Sequence, residues 1–316
     1  MDAVIEGLID KLYAFVHEMV GDLMRNSYAG LFDNVNGQIG FISGEVTQTP
    51  ASYNSTINTL IQTLANDVIL PIGVMIITAL FCYELINGVL EKNAMHEMGT
   101  EFIFKWLGKA CIGVLLLSFT FDITEAIFEL GSDVATSATG TILTSTPDID
   151  ASTLDPLIDD YVAWTDGANG GASDGEPQRQ EYNHGVGELF AMALEAFICK
   201  IALMVIYVIL KVLLIARMIE IYMYLAISPI PFATFINRDW SSVGVGYVKK
   251  LAGLSFQALF IVVALGIYYA ALANINTNIG TYDLHDATLE LVFICVALVL
   301  GIMGSKNLSD SIFSGH

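Results

Sequence analysis

Cysteine is scarce, with four in 316 residues. Cys82, Cys111, Cys199 and Cys295 all fall inside apolar runs, and the polar regions between those runs contain none. That placement excludes a disulfide framework and offers no zinc-ligand spacing. The four read as small apolar packing residues. The five histidines, His17, His96, His184, His285 and His316, are scattered, so none forms a metal pair. A phosphate-cradling Gly-Lys-Ser/Thr loop, a nucleophile elbow and an H-E-x-x-H helix are also missing. The expectation is a protein with no enzyme chemistry and no cofactor, dependent on another protein's motor for any ATP-driven step. Basic residues are sparse too, at 13 Lys and Arg against 33 Asp and Glu, giving a net charge of -20.

Long apolar runs are what the chain has in quantity. A helix needs about 20 apolar residues to cross a hydrocarbon core of roughly 30 Å. Residues 68–90, 102–121, 189–210, 251–273 and 287–304 each qualify. A hydrophobic content of 54% and a mean hydropathy of +0.62 exceed what a water-facing surface of this size can hide. The sequence therefore predicts an all-α, polytopic transmembrane helix bundle with five crossings.

Orientation follows from Lys and Arg, which resist translocation and collect on the cytoplasmic side. Lys92, Lys105 and Lys109 lie between and beside the first two runs. Lys211, Arg217, Arg238, Lys249 and Lys250 follow the third, and Lys306 lies in the tail. Only Lys11, Arg25 and Arg179 fall in the other polar regions. The expected topology has the N-terminus outside, the C-terminus inside and a small helical extracytoplasmic N-terminal domain. Its segments are an outer region 1–67, two crossings with their inner loop at 68–121, and an acidic outer loop at 122–187. A long third helix at 188–227 extends into the cytoplasm, followed by a cytoplasmic loop at 228–250, two last crossings at 251–304 and an inner tail at 305–316.

The apolar run from 189 to 227 would be about 59 Å long as one helix. Two crossings there would move Arg238, Lys249 and Lys250 outside, so a single helix is expected. It leaves the hydrocarbon after Leu210 and is stopped by Pro229 and Pro231, which lack the N–H that an interior turn requires.

Between Gly131 and Gly187 stand ten acids against Arg179 alone. This stretch would repel nucleic acid and suits cations, basic partners or simple solvation. Its Gly-rich centre around Asp166–Gly175 has the composition of a flexible linker. The first 67 residues do not read as a signal peptide, because Asp2, Glu6 and Asp10 stand where a basic flank belongs. Ile5, Leu8, Ile9, Leu12, Val16, Met19, Val20 and Leu23 recur at helical spacing. They predict an amphipathic helix that either packs within an outer domain or lies against the membrane surface or a partner. Gly37, Gly40 and Gly44 then suggest a looser connection.

Charges at membrane depth are costly and mark pathways or interhelical pairs. Lys105, Lys109 and Glu84 lie near crossing ends, where long side chains reach headgroups. Lys200 lies in the middle of the third crossing. It is expected either to form an ion pair, for example with Glu195 of a neighbouring copy, or to line a path. Lys211, three turns on, shares its face. Glu195, Lys200 and Lys211 are thus the candidate pathway or interhelical residues.

The most distinctive stretch is Ser228-Pro229-Ile230-Pro231-Phe232 after the long helix, followed by Arg238-Asp239-Trp240 and by Tyr247-Val248-Lys249-Lys250 at the next crossing. From about Glu188 to Ala273 the chain resembles the TrbL-like polytopic inner-membrane subunit of type IV secretion systems, in the form found in Gram-positive conjugative elements. The resemblance implies a cell-membrane channel or channel-scaffold subunit that supports passage of single-stranded DNA with its relaxase. It also implies a homo-oligomeric ring beside the secretion ATPases and other secretion subunits. Ser228, Pro229, Pro231 and Phe232 would then form a rigid turn. Those four, with Arg217, Glu220, Arg238, Trp240, Lys249 and Lys250, would meet cytoplasmic partners or lipid headgroups. A DNA conduit calls for positive lining, which this chain offers at few positions. Rival readings are a non-conjugative transporter or ion channel, or a purely structural assembly subunit. An odd number of crossings without internal repeat argues against the transporter.

Overall fold

The structure is a computed structural model that describes residues 2–91, 100–145, 158–159, 164–165, 181–182, 185–277 and 283–313. It is helical almost throughout. In chain order the helices are α1 (Asp2–Val46), α2 (Pro50–Tyr53), α3 (Ser55–Leu64), α4 (Leu70–Glu91), α5 (Thr100–Ser118) and α6 (Thr120–Ser145). They continue with α7 (Val186–Ile227), α8 (Pro229–Ala233), α9 (Ser241–Thr277) and α10 (Leu284–Phe313). The described strands are a two-residue antiparallel pair, β1 (Trp164–Thr165) with β2 (Glu181–Tyr182).

Local chemistry fixes several of these boundaries. Thr49 caps α2 through the Ser52 N–H, while Ser52 returns a bond to the Thr49 N–H, and Pro50 sits at the first helical position. Asn54 caps α3 by accepting from the Ile57 N–H at 3.0 Å. A π-helical turn, Ala65–Ile69, joins α3 to α4. Pro71 follows it, and because Pro71 cannot donate to the carbonyl four residues back, the helix widens just ahead of it.

Four helical stretches are long and apolar enough to cross a membrane: Ser55–Leu90, Val186–Ala233, Ser241–Ile275 and Leu284–Phe313. A fifth exists if the pair Ile103–Ser118 and Thr120–Ile142, bent by 62°, is one span. Four of the five expected crossings are thus found, and the one expected at 102–121 is found only with that bent pair counted as a single span. The break has a local cause. The Thr120 hydroxyl donates to the Leu116 and Leu117 carbonyls at 2.9 and 2.8 Å, and Ser118 and Thr124 bond back in the same manner. Such back-bonding competes with the helix ladder and bends it.

Two expectations about connections are corrected. The loop expected from residue 122 begins as the 26-residue helix α6, held by Phe128 and Ala135, which are buried. The Gly-rich stretch 37–44 is part of α1, a helix of 45 residues, and Gly37, Gly40 and Gly44 have open space around them. Of the apolar stripe predicted on α1, Ile5, Leu8, Ile9, Leu12, Met19 and Leu23 are exposed, whereas Val20 is buried along with His17, Met24, Tyr28 and Leu31.

By contact the chain divides into two compact units. The first comprises Met1–Ile42, Ile142–Leu210 and Leu265–Leu300. The second comprises Ser43–Thr141, Lys211–Ala264 and Gly301–His316. In the first, the Phe41 ring meets Tyr207 edge-on with centroids 5.5 Å apart, and Arg25 bonds Asp159 at 2.7 Å. In the second, a core of Phe121, Phe128, Ile221, Leu225, Tyr247 and Leu251 ties α6, α7 and α9 together.

Close helix approach in the second unit requires a missing side chain. A Cβ on Gly131 would lie 2.7 Å from the Ser255 carbonyl oxygen, and the Ser255 hydroxyl donates to the Ile127 carbonyl at 2.6 Å. Gly131→Ala is therefore expected to cost about 1–3 kcal/mol through overpacking. Gly140→Ala, which meets open space, is expected to be neutral or to add about 0.5–1 kcal/mol. Thermal unfolding of the two variants in detergent checks the contrast.

Candidate functional site

The run from Ser228 to Asn237 is a buried corner. α7 is one unbroken helix of 42 residues, about 63 Å long, as the charge argument required. It ends at Ser228, whose hydroxyl donates to the Leu225 carbonyl at 2.9 Å, and Pro229 opens α8 at its first position. Ser228, Pro229, Pro231, Phe232, Ala233, Thr234 and Asn237 are all buried. The sequence placed Ser228, Pro229, Pro231 and Phe232 at partners or lipid; their burial removes them from any outer surface. They are the rigid turn itself.

Two glycines receive this turn. A Cβ on Gly73 of α4 would lie 3.0 Å from the Pro229 carbonyl oxygen, and one on Gly244 of α9 would lie 2.9 Å from that of Pro231. Phe232, Phe235 and Tyr247 pack ring against ring with centroids 5.3 and 5.9 Å apart. The Tyr247 hydroxyl donates to the Tyr224 carbonyl at 2.6 Å, and the Tyr222 hydroxyl donates to that of Pro50 at 2.7 Å. Gly73, Gly244 and Pro50 were not singled out from sequence, although lone glycines inside apolar helices were a usable signal.

After the corner the chain turns outward. Arg238, Trp240 and Lys249 are exposed, so they remain available to partners or headgroups. Lys250 is different, because it pairs with Asp310 of α10. Glu220 also has an internal partner: its two carboxylate oxygens accept from Lys306 at 2.8 and 2.6 Å. Arg217, expected at a surface, is 8% exposed, since it lies on the inward side of α7 with Leu214 and Met218. On α4 and α5, Glu84 and Lys109 bond at 2.6 Å rather than reaching separately for headgroups.

In the first unit, Glu195 accepts or shares a proton with His285 at 2.7 Å. That bond gives Glu195 a partner in its own chain, which the sequence did not foresee. Lys200 is half-buried, while Lys211 in the second unit is exposed. Cys199 and Cys295 are buried and Cys82 and Cys111 exposed, all as free thiols. Among the described residues no group of three His, Cys, Asp or Glu is placed to hold a metal.

The geometry is that of a membrane-embedded framework with paired interior charges and no reactive constellation among the described residues. A family profile described as "TrbL/VirB6 plasmid conjugal transfer like protein" matches residues 35–165 and 175–229, more than half of the chain. The chain belongs to this family. The match runs from α1 through the first spans and α7 to Pro229, so it reaches well ahead of the stretch from which the resemblance was read. No curated protein and no solved structure matches the chain. Membership in the TrbL/VirB6 family makes the chain a multi-pass membrane component of conjugal transfer by type IV secretion. The family consists of structural membrane subunits and not of known enzymes.

The interior pairs make a specific claim about charge. Lys306→Met leaves the Glu220 carboxylate, only 22% exposed, without its counter-ion, and is expected to cost about 1–3 kcal/mol. The double variant Glu220→Gln/Lys306→Met is expected to recover most of that loss. Unfolding midpoints of the two variants and the parent decide it.

Proposed function

We propose that the chain is a channel-organising subunit of a conjugative type IV secretion system in a Gram-positive cell membrane, supporting transfer of single-stranded DNA with its bound relaxase. The family match over residues 35–165 and 175–229 carries this reading. In it the N-terminus and the acidic loop lie outside, and Arg238, Trp240 and Lys249 meet the secretion ATPases and lipid headgroups inside. Glu195, Lys200 and Lys211 lie along the long helix that copies of the chain present to one another in a homo-oligomeric ring.

Packing supports a ring more than a single-chain conduit. Within each unit apolar side chains make up most of the interior, and Glu84, Glu195, Glu220 and Asp310 are each bonded by a basic side chain of the same unit. A polyanion needs a lining of cations and stacking surfaces. Such a path then falls between copies or against another subunit, with this chain bracing it. The acidic outer loop would keep DNA away from its own surface by like charge.

The test is genetic and chemical. Deleting the gene is expected to reduce DNA transfer by several orders of magnitude, with recovery from a plasmid copy. Photoreactive groups at positions 200 and 238 then distinguish a lining, where transferring DNA labels both, from a scaffold, where it labels neither. Undiminished transfer in the deletion strain contradicts the proposal.

A further inference from the structure

Among α7, α9 and α10 of the second unit lies a cavity of about 200 Å³, many times the roughly 10–15 Å³ that admits a single water. Arg217, Glu220, Gln257 and Lys306 form its polar lining, with Leu214 and Ile302 among its apolar walls. The polar groups are not self-sufficient. Lys306 is committed to Glu220. Arg217 is more than nine-tenths buried, its Nε has no hydrogen-bond partner, and it forms no ion pair among the described residues. Gln257 donates through Nε2 to the Ser305 hydroxyl at 3.4 Å, which leaves its buried Oε1 without a donor.

A buried, uncompensated guanidinium costs several kcal/mol, and a buried acceptor without a donor adds to it. The ionisable lining sums to one positive charge. An occupant that completes the site must bring one negative charge with acceptor oxygens for Arg217 and a hydroxyl for Gln257 Oε1. A glycerophosphate group has both, and phosphate oxygens match the planar fork of an arginine.

We propose that this cavity is a binding site for the headgroup of an anionic, hydroxyl-bearing phospholipid, held through its phosphate by Arg217. The lipid source is favoured over a free phosphate ester because the walls are apolar and Met303, which also lines the cavity, is half exposed on α10. That side of the helix offers acyl chains a route along the protein surface. Basic pockets between membrane helices hold anionic headgroups by the same physics. The lipid then acts as a structural ligand joining α7, α9 and α10. This inference rests on membrane embedding and not on DNA transfer, so its test leaves transfer aside.

The full chain, purified in dodecylmaltoside, is unfolded thermally with added phosphatidylglycerol, phosphatidylcholine or sn-glycerol 3-phosphate. Phosphatidylglycerol is expected to raise Tm by about 4–8 °C beyond phosphatidylcholine. Arg217→Met, which removes the unpaired charge while keeping a long side chain, is expected to abolish that difference. Gln257→Leu is expected to reduce it, which keeps the test decisive if the arginine variant folds poorly. Lys105→Met, altering an exposed lysine of α5, is expected to leave it intact. Equal effects of the two lipids, or a phosphatidylglycerol increment that survives both cavity variants, overturns the proposal. A full shift from glycerol 3-phosphate alone overturns the lipid source.

Discussion

The seating of one proline corner against two glycines is the constraint on which the second unit depends. Pro229 and Pro231 fix their own φ and remove two donors, so the backbone there must turn and its carbonyls must lie close to neighbouring helices. Gly73 and Gly244 make that approach sterically possible. Aromatic rings from α8, the following turn and α9 then close over it, and the hydroxyl of Tyr247 ties α9 back to α7. One local stiffness thus sets where α7 ends, where α9 begins, and how α4 packs between them.

Around this corner, charge is managed by pairing across helices. Glu84 with Lys109, Glu220 with Lys306 and Lys250 with Asp310 each join two different elements of the second unit. In hydrocarbon an unpaired charge is expensive, so such pairs also select the helix neighbours. The cavity beside Arg217 is where this pairing stops short. Placing an unbalanced arginine among apolar side chains makes sense for a protein whose solvent includes anionic lipid.

Sequence made much of this legible for simple reasons. Apolar length revealed the spans, and the side on which basic residues gather indicated that α7 is one helix rather than two. The 62° bend between α5 and α6 was hidden because it arises from hydroxyls of Ser118, Thr120 and Thr124, residues that also occur in straight helices. Gly37, Gly40 and Gly44 suggested a loose connection, yet a long helix absorbs single glycines when its neighbours support it. Arg217 looked like an anchor because basic residues usually sit at membrane edges. Which way a helical residue faces depends on partners tens of residues away, such as Gln257 and Lys306 around Arg217, and periodicity on an all-apolar helix carries little information about that. Most of the acidic loop, including the Gly-rich linker, lies outside the described residues.

As a membrane component of conjugal transfer, the chain has a geometry to hold, and in the second unit that geometry converges on residues 228–237. Hydrogen–deuterium exchange of the intact protein in lipid nanodiscs tests this most directly. The Phe232, Thr234 and Phe235 amides, bonded to the carbonyls of Ser228, Pro231 and Phe232, are predicted to exchange as slowly as the buried centre of α7. Exchange there as fast as at the exposed Arg238–Trp240 turn would show a surface loop in place of a fixed corner and would contradict the account.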